Sequence, residues 1–382
     1  MCEYGIWLSL CKILSKRKKA LLLDAFGSAQ AVYEASRTDL VGALPGLTAA
    51  ELDSLWNKDL RPAGQIARAC QACGARVIDL LDPEYPALLK EIHDPPTVLY
   101  VRGSLPDCRG RLSVAVVGQR KASAAGLKHA SGIAYALSRS GVIIVSGMAA
   151  GIDGAAHRGA LDGGTPTVAV LGTPIDKCYP VNHAGLMREI LSQGAVISEY
   201  YPGAPTYPGN FLSRNRIVSG MSRGVLVVEA GARSGALETA GRALEQNRDV
   251  FAVPGPIDSD DYVGTNNLIK AGAAAVTGAE DILTAYGAVP VSGPQRHIRR
   301  ERAQKAAEAP LPAFPEAAEG GAVFAADDPQ GAVLAAMGRS AHMDEIIERT
   351  GLPADIVLAA LTMLELQGLI AQRPGNYYEK QR

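Results

Sequence analysis

The residues able to do chemistry in this chain gather where four apolar runs give way to glycine, serine and arginine. The first stretch, Ser113-Val-Ala-Val-Val-Gly-Gln-Arg-Lys-Ala-Ser-Ala-Ala-Gly126, reads as a buried strand that stops at Gly118. It then exposes Gln119, Arg120 and Lys121 before a helix begins near Ser123. Glycine followed by arginine at the carboxyl end of a strand suits an anion, above all a phosphate. The second stretch, Ser146-Gly-Met-Ala-Ala-Gly-Ile-Asp-Gly-Ala-Ala-His157, is a glycine-rich turn into a helix. Small residues such as Gly147 let backbone amides approach an anion closely. Asp153 and His157 share a helix face at i and i+4, and two readings stand: they cap and pack the helix, or they touch ligand.

The third stretch runs from Tyr200 to Arg223 and takes a tyrosine-rich loop into a helix. Phe211, Arg214 and Asn215 fall at i, i+3 and i+4, on one face. An aromatic beside a cation and an amide can stack a base and hold its phosphate, whereas the plainer alternative makes Phe211 core. Arg216 points elsewhere round the turn and suits a structural carboxylate. The fourth stretch, Glu229-Ala-Gly-Ala-Arg-Ser-Gly-Ala-Leu-Glu-Thr239, sets Arg233, Ser234 and Gly235 before a helix N-terminus. Arg233 there serves either an anion or Glu229.

A catalytic engine does not stand out. No G-x-x-x-x-G-K-[ST] occurs, and no G-x-G-x-x-G opens the first strand–helix turn, which argues against a P-loop ATPase and a dinucleotide enzyme. No Ser/His/Asp or metal-ligand cluster is visible, so neither cofactor nor metal is expected. Cys70 and Cys73 form a lone C-x-x-C without a second pair, which reads as two helical thiols rather than a zinc site.

These loops need strands and helices to hold them. Val114–Val117, Val142–Val145, Thr167–Leu171, Ala195–Ser198, Val225–Val228 and Asp249–Val253 are short apolar runs, several of them β-branched, as parallel strands buried on both faces require. Helical segments alternate with them: Ala125–Ser138, Asp153–Leu161, His183–Leu191, Leu212–Met221 and Ala236–Gln246. Such alternation predicts an α/β fold with a doubly wound, mainly parallel sheet. Residues 1–75 read as a helical domain, in which Leu40 to Leu52 resembles a helix–hairpin–helix or SAM-like element. Residues 76–288 form the sheet domain and 289–328 a Pro/Ala/Glu-rich linker carrying the basic cluster His297–Arg302. Residues 329–382 outline a winged helix, with a two-strand wing turning at Pro374-Gly375. Its recognition helix near Ala354–Gln367 has no Lys or Arg, so a protein-interaction module is expected there.

Across 382 residues, 47% are hydrophobic and 20% charged, with a net charge of -1. A nucleic-acid partner must therefore meet a local positive patch rather than a global field. Six scattered cysteines do not make a disulfide scaffold. The apolar N-terminus precedes Lys16-Arg-Lys-Lys19, the reverse of a signal peptide, and no apolar run approaches a bilayer span. A cytoplasmic protein without a membrane span is expected.

The four stretches, with Gly224-Val-Leu-Val-Val-Glu-Ala230 and Arg248-Asp-Val-Phe-Ala-Val-Pro-Gly255, resemble the DNA-processing protein A (DprA/Smf) family from about Leu81 to Tyr286. The resemblance implies a Rossmann-like domain that binds single-stranded DNA, protects incoming strands in natural transformation, loads the RecA recombinase and forms a homodimer. By match, Gly118 and Arg120 belong to its phosphate pocket, and Phe211, Arg214, Asn215 and Arg216 to its strand-binding rim. Leu268 and Ile269, in the apolar stretch Asn267–Val276, are candidates for the dimer interface. Gln119 stands where the family usually has serine. Pro208 stands where some members have lysine, and Lys121 or Arg223 can compensate. The rival reading is a nucleotide-processing enzyme of the phosphoribohydrolase-like Rossmann group, with Glu238 as general acid or base.

Overall fold

The computed structural model describes residues 2–288, 329–338, 340–352, 354–366, 369–373 and 377–380. Its main sheet has nine strands: β1 (Arg76–Asp79), β2 (Val98–Gly103), β3 (Ser113–Val117), β4 (Ile143–Ser146), β5 (Thr167–Leu171), β6 (Ala195–Ser198), β7 (Gly224–Val227), β8 (Asp249–Ala252) and β9 (Ala274–Ala275). They lie in the order β1-β2-β6-β5-β4-β3-β7-β8-β9. From β6 to β9 every pairing is parallel, while β1 and β2 join antiparallel at one edge. This is the doubly wound, Rossmann-like sheet that the apolar runs predict. Residues of β3 to β7 are buried, which explains runs such as Val114–Val117 with no polar alternation.

The helices of this unit, in chain order, begin with α1 (Cys2–Leu10), α2 (Lys16–Phe26), α3 (Ala29–Glu34), α4 (Arg37–Ala43), α5 (Ala49–Trp56) and α6 (Arg61–Ala72). Next come α7 (Ala87–Lys90), α8 (Ala124–Arg139), α9 (Ile152–Gly163), α10 (Ala184–Gln193), α11 (Pro208–Gly220), α12 (Gly235–Glu245), α13 (Val263–Lys270) and α14 (Ala279–Ala285). Leu137 of α8, Ala156 of α9 and Ile282 of α14 share one apolar cluster with Val114, Val116, Ile144 and Leu226 of the sheet. Burying a side chain of that size stabilises by roughly 1.5–3 kcal/mol, so this layer fixes the strand ends on which the loops sit.

At the N-terminal end, α1 and α6 pack against β1. The hairpin between α4 and α5 was the stretch expected to resemble helix–hairpin–helix. Thr48 caps α5, its N–H donating to Glu51 Oε2 at 2.8 Å, and the Leu47 N–H donates to the Leu44 carbonyl. Lys18 donates to the Gly46 carbonyl at 2.9 Å and to Glu51. Two of the amides that would meet a phosphate there are thus already bonded within the protein.

The C-terminal unit has helices Pro329–Ala336, Met343–Thr350 and Ala354–Leu366 around Val333, Ile346, Leu361 and Tyr378. Its sheet has three strands rather than two. Ser340–His342 pairs with Tyr377–Lys380, which pairs in turn with Ile370–Arg373. A three-residue strand was too short to announce itself in the sequence. The wing turn at Pro374-Gly375 and the basic cluster His297–Arg302 lie outside the described residues.

Candidate nucleic-acid interface

Strand order reverses at β3: β4, β5 and β6 run out to one side, and β7, β8 and β9 to the other. In open α/β sheets such a switch point opens a crevice at the carboxyl ends of the strands. A cleft of about 940 Å³ lies there, lined by Gly118, Gln119 and Arg120 after β3, Gly147 after β4, Phe211, Arg214 and Asn215 of α11, and Arg233, Ser234 and Gly235 before α12. Ten of the residues singled out from the sequence therefore converge on one cavity. Lys121 is exposed beside Arg120, and Ser123 caps α8, accepting from the Gly126 N–H at 3.0 Å.

The loop after β3 is built on a buried carboxylate. Glu229, after β7, accepts from the Ser123 N–H at 2.8 Å, from the Ser123 hydroxyl and from Gln119 Nε2 at 2.6 Å. Its own carbonyl accepts from the Gln119 N–H at 2.8 Å. Glu229 is thus consumed by this loop, and Arg233 remains exposed at the mouth of the cleft. Gly118 must be glycine: a Cβ there would come within 2.5 Å of Ile152 Cγ1 and 2.9 Å of the Glu229 carbonyl.

Arg214 lines the cleft but is largely buried. Its Nη1 donates to the carbonyls of Gly147 and Val170, and its Nε to Asn215 Oδ1 at 3.2 Å. Burial lowers its pKa, an effect that Asp153 opposes. Asp153 in turn accepts from the amides of Gly147 at 3.1 Å and Ala149 at 3.3 Å. Burial raises the Asp153 pKa despite the pull of Arg214. The glycine-rich turn thus spends two of its amides on its own helix's carboxylate. Asp153 and His157 do not pair: His157 Nδ1 lies 2.9 Å from Thr167 Oγ1, inside the core.

Phe211 is only 9% exposed. Its ring packs on Tyr179 at 5.3 Å between centroids, and the Arg120 guanidinium sits 5.5 Å above it. A large exposed apolar side chain of the cleft is its neighbour, Leu212. Arg216 stands apart from this group. It is buried and bonds Glu199 at 2.7 Å and Asp94 at 2.9 Å, and Lys16 reaches the same Glu199 at 3.0 Å. Glu238 is also outside the lining, half-exposed and paired with Arg242 at 3.1 Å.

Residues 76–287 match the family model for DNA recombination-mediator protein A, and residues 307–376 match the DprA winged helix domain. The chain belongs to the DNA recombination-mediator protein A family. Protein Smf of Synechocystis sp. is 38% identical over 313 residues, covering 78% of each chain. The X-ray structure of DNA processing protein A from Streptococcus pneumoniae superposes with a TM-score of 0.65 at 34% identity, over 74% of this chain and 98% of that one. DNA processing protein A from Helicobacter pylori, whose structure concerns its single-stranded DNA binding mode, gives a TM-score of 0.51 at 28% identity, over 56% and 95%.

Five residues at this cleft were given no cleft role from the sequence: Glu229 as the loop's organiser, Tyr179 behind Phe211, and Leu212, Asp260 and Asp261 in the lining. Asp260 and Asp261 sit in a 3-10 turn, Asp260–Tyr262, that follows β8. Their signal was weak because they arrive from a different crossover, with no glycine–arginine pattern to mark the loop.

Proposed function

We propose that this protein binds single-stranded DNA in the switch-point cleft, acts in the cytoplasm on strands entering by natural transformation, and loads the RecA recombinase onto them. The observation that carries this reading is the convergence of exposed Arg120 and Arg233, the amino end of α12 and the Phe211–Leu212 surface on one open cleft. Cations and helix amides suit phosphates, and an apolar floor suits unpaired bases. Family membership supports it, and so does the single-stranded DNA binding mode named for the Helicobacter pylori relative. The reading is of a binder and mediator rather than an enzyme. Glu238, the carboxylate that a phosphoribohydrolase-like reaction would need, is engaged by Arg242 instead of facing the cleft.

We read residues 1–75, 76–288 and 329–382 as three modules, the last recruiting protein partners. Its helix Ala354–Leu366 carries no Lys or Arg for phosphates. A homodimer forms in this reading through α13, where Leu268 and Ile269 are half-buried. The deciding experiment compares single-stranded and duplex oligonucleotides across a salt series, for the parent and Arg120→Ala. Single strands should bind more tightly, with affinity falling as salt rises through counterion release. Arg120→Ala should cost about ten-fold, the worth of one charge-assisted hydrogen bond. Equal binding of the variant would remove the phosphate role of Arg120, and a preference for duplex would overturn the function.

A further inference from the structure

One part of the cleft lining, formed by Gln119, Asp260 and Asp261, has a chemistry of its own. Gln119 Nε2 donates to Glu229 Oε1 at 2.6 Å and to Asp261 Oδ1 at 2.9 Å. Carboxylates only accept, so both amide protons are committed and the orientation of the amide is fixed. Its Oε1 accepts no bond among the described residues and is left as an acceptor. Asp260, exposed and in the lining, pairs with no cation among the described residues. Asp261, also in the lining, has its second carboxylate oxygen beyond the Gln119 bond. Gln119, Asp260 and Asp261 thus offer acceptors and no side-chain donor.

Acceptors alone repel phosphate, so this part of the cleft is unsuited to the backbone of a bound strand. It suits a base edge that carries donors. Guanine is the one base with two adjacent donors on its pairing edge, N1–H and the N2 amine, which a carboxylate can accept together. Adenine and cytosine each set a ring acceptor beside their single amine. Thymine flanks its one N–H with two carbonyls, which these acceptors oppose. We infer that the wall formed by Gln119, Asp260 and Asp261 reads guanine in the strand bound by the cleft. The inference rests on the proposed single-strand function and adds a base preference to it.

The test uses the full chain with fluorescently labelled 20-mers in a lithium buffer that keeps guanine strands unfolded: dT20, alternating thymine–guanine, and alternating thymine–hypoxanthine. Hypoxanthine keeps N1–H and lacks the N2 amine. The parent should bind the guanine strand about 5-fold or more tighter than dT20, the lower bound for a bidentate base contact, and hypoxanthine should lose most of that gain. Asp260→Ala, at an exposed position, should abolish the preference, bringing the guanine strand and dT20 to equal affinity. Gln119→Ser, which removes the amide oxygen and the tether that holds Asp261 in place, should reduce the preference. Equal affinity of the parent for all three strands overturns the inference, as does a preference that survives both substitutions. Displacement of every strand by GMP, with no preference among strands, would instead assign the wall to a free nucleotide and equally overturn it. A parent that fails to bind even dT20 would sink the single-strand function itself, so the two failures are distinct.

Discussion

Arg214 shows how one residue type can serve two purposes at one site. Its place on the lining face of α11 was legible from the spacing Phe211–Arg214–Asn215, because a helix brings i, i+3 and i+4 together. What it does there was not legible, since its partners are backbone carbonyls of Gly147 and Val170, from two other crossovers. Arg214 is a positioning residue that ties α11 to the ends of β4 and β5. Arg216 was legible as lying off that face for the same helical reason, and its carboxylates Glu199 and Asp94 come from far away in sequence. Replacing Arg214 by leucine strands two buried carbonyls and takes from Asp153 the stronger of its two cationic neighbours, leaving only Arg120. A loss of about 2–4 kcal/mol is expected, the range for breaking a buried polar network. Urea unfolding would show it as a lower midpoint at unchanged slope. A variant as stable as the parent would mean that Arg214 does not hold the loops.

At the scale of elements, the strand ends and the sheet's parallel order follow from apolar runs bounded by glycine, and Thr167–Leu171 and Ala195–Ser198 appear with the expected limits. The start of α11 differs: it begins at Pro208, four residues before the expected Leu212. Proline at the first helical position lacks only an N–H that would have no intrahelical partner, and its fixed φ suits the turn, so the Pro-Gly pair opens the helix instead of delaying it. Phe211, already read on one face with Arg214 and Asn215, therefore lies inside the first turn of α11 and not ahead of it. α13 and the edge strand β9 are a second case. Both residues of β9 are exposed, and β9 ends the sheet with its outer edge unpaired among the described residues. An open edge beside an apolar helix face is a surface that a second copy can cover. Ile269→Glu places a charge on that face. If the proposed homodimer forms through α13, light scattering should report a dimer for the parent and a monomer for the variant, with short oligonucleotides still bound. An unchanged mass would exclude α13 from the interface.

For the molecule as a whole, the switch-point loops are carried on a core that contains titratable groups, and this makes the fold sensitive to acid. Thr167 Oγ1 donates to the Ile144 carbonyl at 2.7 Å, so it must accept from His157, which fixes the proton on Nδ1. Nε2 is buried and has no partner among the described residues. A second proton there would be a buried charge close to His183, Arg214 and Arg158, and burial first, then these neighbours, lowers the His157 pKa to about 3. The unfolded chain binds that proton near the ordinary histidine value of about 6.5. Between the two values the unfolded state holds more protons, so stability falls as pH falls from about 6.5 toward 3. His183, also lowered by burial, acts in the same sense. Asp153, whose pKa is raised, acts in the opposite sense, beginning where the unfolded carboxylate titrates and ending at its raised value. Urea unfolding at pH 7, 6 and 5 should therefore show decreasing stability, His157 contributing up to about 1.4 kcal/mol per pH unit below its unfolded pKa. His157→Gln, which can keep a donor to Thr167, should flatten that dependence while costing stability at pH 7. If parent and variant have the same pH slope, His157 is already charged in the folded protein, and the buried network beneath the cleft is arranged differently.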